Sequence, residues 1–256
     1  MRLQSPPVHS IAGLGPALRV MVAEGHSVQQ CLKGTGILTS QLDDPHQTIT
    51  LRQEIRFHRN LIELSADPTL GLRIGSAYLP QRYGLLGYAV LSAATLRDAL
   101  VIATNFGDLS YTWFGLRLAV TDRTTTFSFH DRFDIDADVL EYLYDRDCAA
   151  ALIDLSETVG QPLELDKVVL PHDGHGRQAV YRKFFRCAVA FNSAPARIEL
   201  ATRLLEAPLP IQEVASLLGY SDPGNFTHAF KRWAGKSPSD FRLARQPAGS
   251  AGRSST

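Results

Sequence analysis

Two consecutive segments near the carboxyl end of the chain constrain its fold most, because each repeats an apolar stripe at helical spacing. Pro210 and Pro223 suit first helical turns. Asp222 suits a helix N-cap, and Gly219 suits a helix end. The two stripes, at positions i, i+3, i+4 and i+7, consist of Ile211, Val214, Ala215 and Leu218, and of Phe226, Ala229, Phe230 and Trp233. We therefore predict two short helices joined by a tight turn, which is a helix-turn-helix, with a third short helix starting at Ser237-Pro238.

The second of these helices presents a polar face opposite its apolar stripe. Small and polar groups lie near its amino end and cations lie toward its carboxyl end, which suits base edges and phosphates in a DNA major groove. A helical hairpin with a solvated polar face fits the periodicity equally well, so the spacing alone leaves both interpretations open. The candidate DNA-binding residues are Asp222, Gly224, Asn225, Thr227, His228, Lys231 and Arg232.

Residues 1–195 carry a different pattern, in which helical periods mix with segments rich in β-branched and aromatic residues. Helices are predicted at 11–24, 52–65, 69–78, twice within 84–108, at 138–159 and at 175–185. Strands are predicted at 109–120 and 124–130, paired around Asp122-Arg123, and near 166–170 and 187–191. The expected fold is an α+β N-terminal domain over 1–195, followed by a truncated all-α helix-turn-helix part over 196–245 and a disordered tail over 246–256.

Composition limits the class of protein further. Hydrophobic residues make up 45% and charged residues 20% of the 256 residues, which excludes collagen-like and wholly disordered chains. The sequence has no apolar run of the ~20 residues that span a bilayer and no secretory signal pattern. Three scattered cysteines form no CxxC motif, so we expect a cytoplasmic protein with reduced thiols. Net charge is −3 over residues 1–195 and +3 over 196–256, which is compatible with nucleic-acid contact by the second part.

Patterns typical of enzymes and metal sites are missing or incomplete in the sequence. No serine lies in a GxSxG motif, and no Walker or Rossmann glycine pattern occurs, so we predict neither an enzyme nor a cofactor. A zinc site made of His172, His175 and Cys187 lacks a fourth ligand and the usual spacing. A calcium loop starting at Asp134 has Val139 where glycine is required. No metal is therefore expected.

The carboxyl-terminal motifs resemble the second helix-turn-helix of AraC-type transcription regulators. The residues that carry the resemblance are Leu218-Gly219-Tyr220, Phe226, Ala229-Phe230-Lys231-Arg232-Trp233, Gly235, Ser237-Pro238 and Phe241-Arg242. The remainder resembles, less sharply, the effector-sensing domain of an AraC-type subgroup that includes ornithine-utilisation-type regulators. That likeness rests on VHSIAGL at 8–14, RYGLLGYAVLSAATLRDAL at 82–100 and VYRKFFRCAVAFNSAP at 180–195.

The resemblance implies a transcription regulator controlled by a small-molecule effector of unknown identity. Its implied partners are double-stranded DNA, through the major groove, and RNA polymerase. In the sensing domain, aromatic residues and residues with polar tips suit a ligand pocket, although ordinary core packing fits each of them singly. The candidate ligand-binding residues are Tyr83, Tyr88, Trp113, Phe114, Phe129, His130 and Arg132.

The chain departs from the family pattern in one respect. In the family, a first helix-turn-helix separates the sensing domain from a long helix that joins it to the second. Here residues 197–208 resemble the joining helix and directly follow the sensing motif, so the first unit has no room. We therefore expect weakened DNA binding that needs a homodimer. The alternative is an effector-binding or dimerising protein that no longer binds DNA specifically and pairs with a full-length relative.

Overall fold

The computed structural model describes residues 8–44, 46–206, 222–237 and residue 240. The helices in these ranges are α1 Gly15–Ala23, α2 Val28–Cys31, α3 Leu51–Ser65, α4 Leu70–Gly75, α5 Leu85–Leu91, α6 Leu96–Asn105, α7 Ala137–Val159, α8 Gln178–Phe185 and α9 Pro223–Ala234. Short 3-10 helices occupy Ile11–Leu14, Thr39–Asp43, Pro80–Tyr83, Gly107–Leu109 and Thr202–Glu206. The strands are β1 Val8–Ser10, β2 Thr48–Thr50, β3 Gly115–Val120, β4 Thr124–His130, β5 Lys167–Val169, β6 Ala188–Ala190 and β7 Ala196–Ala201.

The larger sheet has five strands in the order β3-β4-β7-β5-β6. Neighbours are antiparallel except β5 and β6, which run parallel and are connected through α8. Strands β3 and β4 form the hairpin predicted around Asp122-Arg123, and the Thr121 amide donates to the Thr124 carbonyl at 3.0 Å. The first strand is shorter than predicted, because it begins at Gly115 and not at residue 109. Strands β1 and β2 form a separate antiparallel pair that the sequence patterns did not predict. The α+β class predicted for this part of the chain is confirmed.

Helix α7 is the centre of the N-terminal unit, because it packs against α3, α4, α6 and β7. Its close approach to α4 depends on two glycines spaced by one turn. A Cβ atom at Gly75 would lie 2.3 Å from the Arg146 carbonyl oxygen, and one at Gly71 would lie 2.6 Å from the Tyr142 carbonyl oxygen. Only glycine allows the two backbones to meet in this way, so the predicted helices at 69–78 and 138–159 form one packed pair.

Residues 196–206 correct the predicted domain organisation. The predicted joining helix over 197–208 is wrong here, because Ala196–Ala201 forms strand β7 and Thr202–Glu206 forms a 3-10 helix. Burial alternates along β7, with Ala196, Ile198 and Leu200 inward, as the pleat of a strand requires. Strand β7 bonds to β4 on one side and β5 on the other, so it lies inside the sheet of the N-terminal unit.

Several sequence predictions lie outside the described residues. They include the first helix of the helix-turn-helix at 210–219, most of the third helix and the tail at 246–256. In the part of the chain that is described, none of the helices combines the length and the apolar character that a membrane crossing requires.

We predict that Ile198→Ala destabilises the N-terminal unit by about 2–5 kcal/mol, because it leaves a cavity in the sheet where Ile198 is fully buried. Arg203→Ala, in the same segment but exposed, should change the free energy of unfolding by no more than about 0.5 kcal/mol. Urea denaturation followed by circular dichroism measures both. Equal, small effects of the two substitutions would show that this segment is not part of the sheet.

Candidate functional site

The N-terminal unit contains a cavity of about 790 Å³, including its open mouth. It lies among α5, α6, α7, the β3–β4 hairpin and the 3-10 helix Pro80–Tyr83. Most of its wall is aliphatic or aromatic, with a few polar groups, as in small-molecule sites. Its polar groups come from Tyr78, Tyr83, Ser110, Tyr111, Thr112, Arg146, Asp147 and Asp154.

Helix α7 supplies one wall of the cavity through residues at i, i+3, i+4 and i+7, which share one helical face. These residues are Asp147, Ala150, Ala151 and Asp154. The two alanines leave space between the acidic residues at either end. Asp147 and Asp154 therefore lie at different places in the cavity and in different electrostatic surroundings.

At one end of the cavity, Arg146 is fully buried and hydrogen-bonded on several sides. Its Nε donates to Asp147 Oδ1 at 2.6 Å, and its Nη2 donates to the Tyr111 carbonyl at 2.9 Å. Its Nη1 lies 3.0 Å from His58 Nε2. Because Thr112 also donates to the Asp147 carboxylate, both charges of this pair are compensated inside the protein.

The same cluster continues away from the cavity to Glu54 on α3. Its carboxylate lies 2.9 Å from His9 Nδ1 and 3.3 Å from His58 Nε2. Burial opposes ionisation of Glu54, but the hydrogen bonds from His58 and His9 outweigh it and lower the pKa of this carboxyl. Burial lowers the pKa of His58, and the nearby Arg146 charge acts in the same direction. The cluster thus links β1, α3 and α7 through hydrogen bonds among His9, Glu54, His58 and Arg146, while His58 Nδ1 is buried without a hydrogen-bond partner among the described residues.

Asp154 is only partly buried and differs from the buried acids near the cavity. Its Oδ1 atom is buried and has no hydrogen-bond partner among the described residues. Burial raises the pKa of Asp154 to about 8, although a hydrogen bond with Tyr83 acts in the opposite direction. The ring of Tyr83 is stacked on that of Tyr111, with 5.2 Å between centroids. A carboxyl group and aromatic faces therefore line the same part of the cavity.

The structure places only two of the seven predicted ligand-binding residues, Tyr83 and Phe129, on the cavity wall. Tyr88 is 48% exposed on α5 and does not line the cavity. The other four lie elsewhere. Trp113 is stacked on His9 and Phe114 on Tyr144, while His130 is bonded to Ser128 and Arg132 is paired with Asp108. Sequence reasoning missed Asp154 and Arg146. The available signal was a helix face on which Asp147 and Asp154 lie two turns apart, with Ala150 and Ala151 between them.

A group with metal-ligand chemistry lies outside the cavity, where Asp145, His172 and His175 place ligand atoms within 4.8 Å of one another. The first two are already engaged by the protein. Asp145 binds His172 Nε2 at 2.8 Å and the Tyr181 hydroxyl at 2.6 Å, while His172 Nδ1 accepts from the Gly174 amide at 3.0 Å. Because both ring nitrogens of His172 have partners, the cluster fits a structural link between α7 and α8 better than a metal site. Cys187, the third residue of the possible zinc site, is not in this group.

Helix α9 confirms the helix predicted from Asp222 to Gly235. The Asp222 carboxylate accepts from the Gly224 amide at 2.8 Å, and Gly235 ends the helix with φ of +75°. Phe226 and Phe230 of the predicted apolar stripe are buried. Among the candidate DNA-binding residues, Asp222, Asn225, His228, Lys231 and Arg232 are exposed, and Gly224 and Thr227 are partly exposed.

The start of the predicted third helix is described in part. The Ser237 hydroxyl accepts from the Asp240 amide at 3.1 Å and lies 2.6 Å from the Asp240 carboxylate. This is the geometry of a serine N-cap bonded to the third helical residue. The described end of the chain therefore carries two capped helix starts, one at Asp222 and one at Ser237.

We predict that Asp154→Asn stabilises the protein more at pH 8 than at pH 5. The folded carboxyl has a pKa of about 8 against 3.8 without the shift, so the folded chain keeps a proton that the unfolded chain releases. Wild-type stability therefore falls as the pH rises through this window, whereas the amide does not titrate. Thermal denaturation between about pH 5 and pH 8 measures the difference in Tm. The exposed Asp122→Asn is the control, and a constant difference for Asp154→Asn would contradict the prediction.

Comparison with known proteins gives two family matches along the chain. Residues 25–209 match the family described as the arabinose-binding domain of AraC transcription regulators, and residues 194–244 match a helix-turn-helix domain family. An uncharacterized HTH-type transcriptional regulator of Mycobacterium tuberculosis is 29% identical over 185 residues. The match includes 70% of this chain and 53% of the relative, so the chain spans about half the length of that protein.

Two further comparisons come from Pseudomonas aeruginosa. An ornithine utilization regulator is 22% identical over 330 aligned residues, covering 89% of this chain and 94% of the relative. The crystal structure of the transcriptional regulator CdpR superposes with a TM-score of 0.57 at 18% identity, covering 95% of this chain and 100% of that one, which shows a shared fold. The first family match includes more than half of the chain. The chain therefore belongs to the AraC transcription regulator family, with an arabinose-binding-type N-terminal domain and a helix-turn-helix segment.

Proposed function

We propose that this protein is a sequence-specific, DNA-binding transcription regulator whose activity depends on a small molecule bound in the N-terminal cavity. The observation that carries the proposal is helix α9, which lies within the helix-turn-helix match. It buries Phe226 and Phe230 and exposes polar and cationic side chains. That division of faces is what a recognition helix in a major groove requires.

The roles along α9 follow from the positions of its side chains. Asn225, Thr227 and His228 lie toward the amino end and carry amide, hydroxyl and imidazole groups that read base edges. Lys231 and Arg232 lie in the last turns and bind backbone phosphates. Asp222 and Gly224 act through the helix start, since the Asp222 carboxylate caps the Gly224 amide and Gly224 lets a backbone approach closely.

A connection between cavity and DNA-binding segment runs through the sheet. Phe127 on β4 lines the cavity and lies opposite Ile198 on β7. Strand β7 leads into the 3-10 helix Thr202–Glu206, which packs against α6, another wall of the cavity. The chain then continues toward the helix-turn-helix segment. A ligand that shifts β4 or α6 would therefore bias the position of this exit, by stabilising one of two conformations or dimer arrangements.

Because Ala196–Ala201 forms strand β7 and not part of a joining helix, the elements that this chain lacks include the joining helix as well as the first helix-turn-helix. The arabinose-binding match ends at residue 209 and the predicted first helix of the helix-turn-helix begins at residue 210, so neither a joining helix nor a first helix-turn-helix fits between them. The alignment with the ornithine utilization regulator spans 330 positions, more than the 256 residues of this chain, as an internal gap requires. We infer that both elements are absent and that the sensing domain extends to about residue 206.

A single module limits DNA affinity, because one such module buries only about 600–1,000 Å² of protein surface on DNA. Specific binding would then use two recognition helices from two chains, either in a homodimer or in a pair with a full-length relative. The remaining features of the proposal follow the family: a cytoplasmic protein that contacts RNA polymerase and has no enzymatic activity.

A competition mobility-shift assay tests the proposed function. The full chain is mixed with duplex DNA from upstream of its own gene, with excess nonspecific competitor, at two salt concentrations. A discrete band that survives competition supports the regulator. Binding that competitor removes at both salt concentrations would support the alternative, a ligand-binding or dimerising protein that does not bind DNA specifically.

We predict that Lys231→Ala weakens binding to specific and scrambled duplexes by similar factors, because a phosphate contact carries no sequence information. The slope of log K against log salt should become shallower by about one unit. Fluorescence anisotropy at several salt concentrations measures this slope. Lys183→Ala removes an exposed cation on α8 and should leave the slope unchanged. An unchanged slope for Lys231→Ala would remove this residue from the phosphate contacts.

A further inference from the structure

We propose that the cavity binds an apolar amine, with the protonated amino group of the ligand donating to Asp154 Oδ1 and its apolar body lying against the aliphatic wall. The inference rests on the proposed function in one respect, since it takes the cavity as the site of the small molecule. It goes further by naming the chemical class of that molecule and the group that binds it.

The first observation is the contrast between Asp154 and its buried neighbours. Asp145 has His172 and Tyr181 as partners, and Asp147 has Arg146 and Thr112. Asp154 Oδ1 has no such partner in the described part of the chain and belongs to a residue on the cavity wall. A buried acceptor without a donor is unfavourable, so a ligand that supplies a donor to this atom would be stabilised there.

The second observation is that the cavity offers no free cation to an anionic ligand. Arg146 is the one lysine or arginine on the described wall, and its donors are directed to Asp147, to the Tyr111 carbonyl and toward His58. Asp147 and Glu157 add negative charge near Asp154 and act in the direction that raises its pKa. A cationic donor would relieve this repulsion, whereas a neutral alcohol would not and a carboxylate would increase it.

The third observation is the composition of the remaining wall. Tyr83 and Tyr111 present stacked aromatic rings beside the carboxyl group, and such faces attract alkylammonium groups. Leu86, Val90 and Leu100 supply aliphatic surface from α5 and α6 for the rest of the ligand. One carboxylate, aromatic faces and an aliphatic wall together fit an amine with a single charged end.

Three probes of one shape and different charge test the proposal: 4-phenylbutylamine, 4-phenylbutan-1-ol and 4-phenylbutyrate. Isothermal titration calorimetry at pH 9, above the pKa of about 8 that burial gives Asp154, measures their binding to the full chain while the amine is still protonated. We expect the amine to bind at least about tenfold more tightly than the alcohol, and the carboxylate to bind most weakly, as a charge-assisted hydrogen bond implies.

Two variants locate the preference. Asp154→Asn should reduce amine affinity by about tenfold or more while changing alcohol affinity by less than about threefold. Asp154→Ser serves the same purpose if the asparagine variant does not fold. Asp138→Asn is the matched control, because it removes an exposed carboxylate at the far end of the same helix that does not line the cavity. It should retain most of the preference for the amine.

The proposal is overturned if the alcohol or the carboxylate binds as tightly as the amine, if no probe binds, or if Asp154→Asn retains wild-type amine affinity. These outcomes are separable from the proposed function, because the mobility-shift assay needs no ligand. Specific DNA binding without an amine preference would overturn only the ligand class. An amine preference without specific DNA binding would overturn only the regulator.

Discussion

The buried guanidinium of Arg146 is the interaction on which the sensing unit depends. It binds Asp147 and the Tyr111 carbonyl, and it also contacts His58 and Glu54. Removing a partner from a buried charge is strongly destabilising, so these contacts hold α3, α7 and the segment before β3 in one arrangement. That arrangement sets the polar end of the cavity and leaves Asp154, two turns further along α7, without a comparable partner.

The five-stranded sheet connects the cavity wall to the segment that leads into the helix-turn-helix. Strand β4 contributes Phe127 and Phe129 to the cavity wall and pairs with β7, the last strand before the helix-turn-helix segment. In this arrangement, a strand of the cavity wall is hydrogen-bonded to the strand that precedes the helix-turn-helix segment. The loss of the intervening elements that we propose would shorten the distance along the chain between them, and it would leave one recognition helix where the family pattern has two.

Helix caps, prolines, glycines and polar turns in the sequence correctly predicted the elements that depend mainly on neighbouring residues. Helix α9 follows from a cap at Asp222, a proline in the first turn and a glycine stop, and the β3–β4 hairpin follows from its polar turn. Strand β7 was mistaken for a helix, since Ile198, Ala201 and Leu205 are spaced for a helix while Ala196, Ile198 and Leu200 alternate as in a strand. Pairing with β4, about 70 residues earlier, decides between the two. Asp154 was missed for a similar reason, because its isolation depends on packing between distant segments.

The mass of the complex between this chain and DNA shows whether two recognition helices from two chains act on one site. Sedimentation equilibrium with a short labelled duplex from the upstream region, in competitor DNA, measures how many chains bind. We predict two chains on one site, each contributing one α9 helix, and no further binding when the duplex is lengthened. One chain per duplex, or a number of chains that grows with duplex length, would contradict it.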